Sequence, residues 1–205
     1  MEVNEKACKI CKKSGQLEYF FKNTEGSTWK ITNLRQVLSC KNCHGVFREY
    51  NESYPAISSK SFLQTQISKH ISKIQSEIYI EYLKRKTDFS FKTFLDIGSG
   101  FGHFVHQLNN LGVDGYGIES DEHTVNNSIT AKNKCAYFDE HFSSEKKYDL
   151  ISLNQCLYYF NDSFLIINKV VQLLHNNGVL FIATKNPESS FWKNNVTWPL
   201  GCKIW

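Results

Sequence analysis

The residues best placed for chemistry are Asp96-Ile-Gly98-Ser99-Gly100-Phe-Gly102 and, further on, Glu119. Glycines at alternate positions let a ligand approach the backbone closely. Phe94, Leu95 and Ile97 form an apolar run that predicts a buried strand. Residues 103–111 then carry Phe104, Val105, Leu108 and Leu111 at helical spacing, and Gly112 stops the pattern. Residues 113–118 read as a second strand, with Glu119 at its end. Strand, glycine turn, helix and second strand make half of a dinucleotide- or nucleoside-binding α/β unit. The terminal acid is placed to accept hydrogen bonds from ribose hydroxyls.

The spacing narrows the ligand. A Gly-x-Gly-x-x-Gly pattern would point to a dinucleotide. Here the third glycine comes one residue early, at Gly102, and position 103 is His. Asp96 would repel a pyrophosphate and suits a cationic ligand. On these residues the chain resembles the class I S-adenosylmethionine-dependent methyltransferases. Their first motif is Asp/Glu-x-Gly-x-Gly-x-Gly, and their second strand ends in an acid that holds the ribose. The resemblance implies S-adenosylmethionine as cofactor. It places Asp96, Gly98, Ser99, Gly100 and Gly102 around the methionine part and Glu119 on the ribose. It implies an enzyme that moves a methyl group by direct displacement. The competing reading is an ordinary β-turn-α connection whose glycines serve packing alone.

Two further pairs, Cys8-Lys-Ile-Cys11 and Cys40-Lys-Asn-Cys43, have metal-ligand spacing. Four thiolates in a closed shell describe a structural zinc site. The gap between pairs exceeds the common zinc spacing. Tyr19, Phe20, Phe21, Trp29, Ile31, Val37 and Leu38 lie between them, as strands of a small ribbon would. Redox dithiols or disulfides are the alternative, but no thioredoxin-like strand-helix pattern surrounds either pair and no secretory pattern favours disulfides. His44, next to Cys43, is a substitute ligand of lower rank.

Composition sets outer bounds. With 41% hydrophobic residues, 205 residues suffice for one medium domain and a small one. We expect a ribbon over 1–50, a linker over 51–65 and a methyltransferase domain over 66–205. The formal charge of +4 is mild, and the short basic runs, such as Lys84-Arg85-Lys86, read as solvated faces. They argue only weakly for nucleic acid. No apolar run is long enough to span a bilayer, and no secretory pattern opens the chain. With Cys135, Cys156 and Cys202 left over as thiols, a reducing, cytoplasmic setting is expected.

The remaining elements complete the layout. Residues 51–61 read as a loop, and Tyr54 within it is a candidate to cover the cofactor. Ile67, Ile71, Ile74, Ile78, Tyr82 and Leu83 recur at spacings of three and four, which predicts a helix packing this stripe on its own sheet. A helix over 121–133 and a strand over 135–138 follow, and the resemblance implies Asp139 or Glu140 in the loop after it as candidates for the adenine. Residues 147–154 read as an apolar strand ending at Asn154, which would open into the ligand crevice.

Tyr158-Tyr159 stands where the family often has an acid-His or His-His pair, so no general base is assigned. A phenol has an ordinary pKa near 10. His103 and His106 read as surface or packing residues. Asn154-Gln-Cys-Leu lacks the prolines typical of enzymes that methylate adenine amines or glutamine amides. A helix over 163–174 and a strand over 179–184 close the series. The prediction is an α/β, Rossmann-like, doubly wound, mostly parallel sheet with a small N-terminal zinc ribbon. The tail after Lys185 carries Pro187, Trp192, Trp198 and Pro199 and reads as a substrate-side loop. The family's closing antiparallel hairpin is therefore expected to be missing or shortened. The expected acceptor is a small molecule or a sugar-linked substrate. The alternative is a non-catalytic ribbon that binds nucleic acid or protein on a degenerate fold.

Overall fold

The structure, a computed structural model, describes residues 6–8, 10–22, 36–48, 62–160, 162–185 and 202–204. Two sheets organise them. The first is antiparallel, in the order β1 (Leu17–Lys22), β2 (Gln36–Cys40), β3 (Val46–Arg48). Its buried residues are Cys8, Leu17, Leu38 and Cys40. The second has six strands, in the order β6-β5-β4-β7-β8-β9. These are β4 (Thr93–Ile97), β5 (Asp114–Glu119), β6 (Asn133–Cys135), β7 (Tyr148–Asn154), β8 (Leu174–Lys185) and β9 (Cys202–Ile204). All pair in parallel except β9, which runs antiparallel to β8.

Strand periodicity divides the core into two layers. On one face Phe94, Leu150, Phe181 and Ala183 pack with Tyr79, Ile80, Leu83, Phe104, Val105 and Leu108. These come from α1 (Phe62–Lys86) and α2 (His103–Asn110). On the other face Leu95, Ile97, Ile151 and Leu153 pack with Ile166, Val170 and Leu173 of α4 (Ser163–Leu173). Asp162 caps α4 by accepting from the amides of Phe164 and Leu165. The sheet is thus covered on both sides, as its near-continuous apolar strands require.

The close fit of β4 and β5 gives a first test. A Cβ on Gly115 would lie 2.1 Å from the Phe94 carbonyl oxygen, so the backbone would have to move. Gly115→Ala is expected to cost about 3 kcal/mol, the upper range for overpacking. Urea denaturation reads this directly, and an unchanged midpoint would show that the sheet can yield there.

Three expectations are corrected. The isoleucine stripe of α1 does not pack on the sheet. Ile67, Ile74 and Ile78 are 49%, 42% and 52% exposed, while Thr65, Ser76, Tyr79, Ile80 and Leu83 are buried. Periodicity identified the helix but not which face turns inward, and this inward face borders a polar cleft. The helix after Glu119 is short, α3 (Glu122–Asn126), and β6 begins earlier than expected. The cause is local. The chain leaves α3 to pack on the glycine turn, with Ile129 N and Ser128 Oγ donating to the Phe101 carbonyl at 3.0 and 3.1 Å. Finally, the tail is not only a loop, because Ala183, Thr184 and Lys185 pair with Ile204, Lys203 and Cys202. Among the described residues, one antiparallel strand, β9, follows β8. The loop 51–61 with Tyr54, and Pro187, Trp192, Trp198 and Pro199, lie outside the described residues.

Candidate active site and metal centre

The strand order reverses between β4 and β7, which is where ligands enter open α/β sheets. Asp96 on β4 and Ser152 on β7 are register partners, and Asn154 follows two residues later on the same face. That face is apolar at Phe94 and Leu150 and polar toward the carboxyl ends of the strands. Asp96 is buried, and its Oδ1 accepts from Ser152 Oγ at 2.6 Å and Asn154 Nδ2 at 3.1 Å. Burial pushes its pKa up to about 7 against those two bonds, with Glu119 adding repulsion. Donating to Asp96 points the Asn154 amide nitrogen at the acid. Its buried Oδ1 has no hydrogen-bond partner among the described residues.

The glycines differ in what holds them. A Cβ on Gly98 would meet Cys156 Sγ at 2.9 Å, and one on Gly102 would meet Ser128 Oγ at 2.7 Å. Both positions are filled by the protein's own packing. Gly100, at φ +55°, faces nothing within 4 Å. Its amide donates to Glu119 Oε2 at 3.0 Å, and Asp121 N donates to Glu119 Oε1 at 3.0 Å. Glu119 therefore sits against the turn, at the carboxyl end of β5, with acceptor capacity left over.

The cleft is lined by Asp96, Gly98, Ser99, Gly100, Asn154 and Gln155 from below, and by Ser72, Gln75, Ser76 and Tyr79 of α1 from above. Asp139 is not in this lining. Its Oδ1 accepts from the amides of His141 and Phe142 and caps its own turn. His103 is buried behind the turn with Nε2 unpartnered, and burial holds its pKa below the ordinary histidine value.

Several site residues carry no signal in the sequence read alone. Asn133 bonds Ser99 Oγ and donates to the Gly100 carbonyl at 2.8 Å, clamping the turn from β6. Ser152 was legible only as a polar residue inside an apolar strand. Gln155 adopts φ 58°, uncommon for a residue with a side chain, and its Nε2 donates to the Tyr79 hydroxyl at 3.3 Å.

At the other end of the chain, Cys8, Cys11, Cys40 and Cys43 form one cluster whose sulfurs all lie within 4.8 Å of one another. The Cys8–Cys43 and Cys11–Cys40 sulfurs are 3.7 Å apart. A tetrahedral ion with metal–sulfur bonds of about 2.3 Å requires about 3.8 Å between sulfurs. The two pairs repeat one local shape. Lys12 and His44 each follow the second cysteine at φ 62° and 55°, and each amide bonds the carbonyl of the first, Cys8 or Cys40. His44 Nδ1 and Nε2 are not part of the cluster, so the donor set is four sulfurs.

With the fold and the two sites described, the comparisons define the class. A methyltransferase domain family matches residues 66–203, more than half of the chain, and the chain belongs to that family. It is 29% identical over 123 residues to the ubiquinone biosynthesis O-methyltransferase of Pelagibacter ubique (strain HTCC1062). That match covers 55% of this chain and 51% of the relative, so the chain spans about half its length. Among solved structures it is similar to the plantazolicin methyltransferase BpumL in complex with a pentazolic desmethylPZN analog and SAH. The TM-score is 0.53 at 19% identity, over 69% of this chain and 60% of that one. It is likewise similar to the plantazolicin methyltransferase BamL, at TM-score 0.51 and 21% identity, over 68% and 58% of the two chains. At these identities the likeness speaks for the Rossmann-like fold. Among the described residues, no helix is long and apolar enough to cross a membrane.

Proposed function

We propose that the chain is an S-adenosylmethionine-dependent methyltransferase acting on a small-molecule or sugar-linked acceptor. The observation that carries this is Gly100, which is held at positive φ with open space before it, between Asp96 and Glu119. Asp96 and the orphaned Asn154 Oδ1 present two oxygens to a cationic group, which fits the ammonium of the methionine part. Ser99 and the backbone of Gly98, Gly100 and Gly102 shape the turn around it. Glu119 accepts from ribose hydroxyls. Asp139, after β6, is assigned to the adenine on the family resemblance, although it lies outside the cleft lining. S-adenosylmethionine supplies an electrophilic methyl group, so the protein's task is to hold the acceptor in line and exclude water. The chemistry needs no assigned general base. The O-methyltransferase relative supports an oxygen acceptor.

In this reading residues 1–50 form the zinc ribbon, 51–65 a linker and 66–205 the methyltransferase domain. Zinc is structural, because four sulfur ligands leave no open position.

The test is isothermal titration with S-adenosylmethionine. The wild type is expected to bind at micromolar concentration. Gly100→Arg is expected to bind at least 100-fold more weakly, since its side chain enters the cofactor's space from a strained backbone. Circular dichroism verifies that both are folded. A folded wild type that does not bind would end the enzymatic reading. Equal binding by both would remove the turn from the site.

A further inference from the structure

The four isoleucines on the outer face of α1 are unaccounted for by the cofactor site. Ile67, Ile74 and Ile78 are about half exposed, and Ile71 between them is partly exposed. Helix geometry puts them on one stripe, opposite the buried Thr65, Ser76, Ile80 and Leu83. The inward face already supplies Tyr79, Ile80 and Leu83 to the core, so the outer isoleucines are a second apolar stripe that an ordinary surface helix lacks.

The spacing of the stripe says what covers it. The intervals are four, three and four residues, which is the same read in either direction. Such a stripe is self-complementary about a two-fold axis between Ile71 and Ile74. Antiparallel pairing sets Ile71 against Ile74 of a second copy, and Ile67 against Ile78. Intervals of four and three are also the coiled-coil seam spacing. The flanks agree. His70 and Glu77 border one side of the stripe, and antiparallel pairing places each beside the other's counterpart. Ser68 and Gln75, the latter also at the rim of the cleft, border the other side and bring no like charges together.

We propose that α1 is an isologous dimer interface whose occupant is α1 of a second copy of this chain. The opposite face of the same helix carries Ser72, Ser76 and Tyr79 over the cleft. Pairing therefore braces the helix that roofs the site. This inference does not rest on the methyltransferase reading, and its test needs no methyl donor.

Sedimentation velocity of the full chain, under reductant and with metal bound, reads the outcome. Monomer–dimer exchange is expected with a Kd on the order of 10–100 µM, as suits so small a patch. Ile74→Lys is expected to raise that Kd at least tenfold while leaving the circular dichroism spectrum unchanged. His70→Glu faces Glu77 of the second copy and weakens the dimer, and adding Glu77→Lys restores it. A wild type monomeric at 200 µM (about twice the top of that range), or a dimer indifferent to Ile74→Lys, would overturn the proposal. Dissociation by Ile74→Lys without rescue in the charge-swapped pair would overturn the antiparallel register.

Discussion

Asp96→Asn is expected to make the free protein more stable at alkaline pH and to cost it about 100-fold in affinity for S-adenosylmethionine. The two effects have one cause. Burial raises the Asp96 pKa to about 7 from 3.8, so between those values the folded state holds a proton that the unfolded state has released. Stability falls with pH wherever the folded state binds more protons. A shift of this size makes the wild type lose stability on the order of 2–3 kcal/mol between pH 5 and pH 8 through this residue alone. Asparagine keeps an oxygen for Ser152 and Asn154 but cannot ionise, so the variant lacks that slope. Removing one partner of a buried charge pair typically costs 2–5 kcal/mol of binding, which is why the affinity loss is large. Thermal melts of both proteins across this pH range, with and without the cofactor, separate the two effects. Parallel pH profiles would show that Asp96 is not a buried acid waiting for a cation. Unchanged affinity would move the ammonium elsewhere.

Removal of the metal is expected to unfold the N-terminal sheet and leave the α/β sheet standing. Among the described side chains, those buried in this N-terminal unit are Cys8, Leu17, Leu38 and Cys40. Domains this small usually need a metal or disulfide. The cysteines are not bridged, so a metal bound by the four sulfurs would supply the stabilising free energy. We expect about one zinc per chain by elemental analysis. Chelation, or Cys40→Ser, should abolish amide-exchange protection in β1 and β2 while β4, β5 and β7 keep theirs. A purified protein without zinc whose β1 and β2 amides stay protected in chelator would rule the metal centre out.

Much of this was legible beforehand, for reasons that differ by element. Strands β4 and β7 were visible because each is buried on both faces and so reads as a near-continuous apolar run. The acid–glycine turn was visible because glycine is strongly favoured where φ is positive or a side chain must be absent. The cysteine pairs were visible because ligand spacing within a knuckle is local. The short α3 was not legible, since Ser128 and Ile129 leave the helix to meet Phe101, a neighbour only in space. Nor was β9, three residues whose only support is pairing with β8.

The sequence by itself determined the order of most elements, the acid–glycine turn with Asp96 and Glu119, and the four-cysteine cluster, because each is written in short-range spacing. Tertiary structure decided what those residues meet. It brought Asn133 to the back of the turn and Ser152 to Asp96, from strands distant in sequence. It also turned the Ser72, Ser76 and Tyr79 face of α1 to the cleft and its isoleucines outward. Helical periodicity groups residues on a face, but only the opposing surface determines which face is buried.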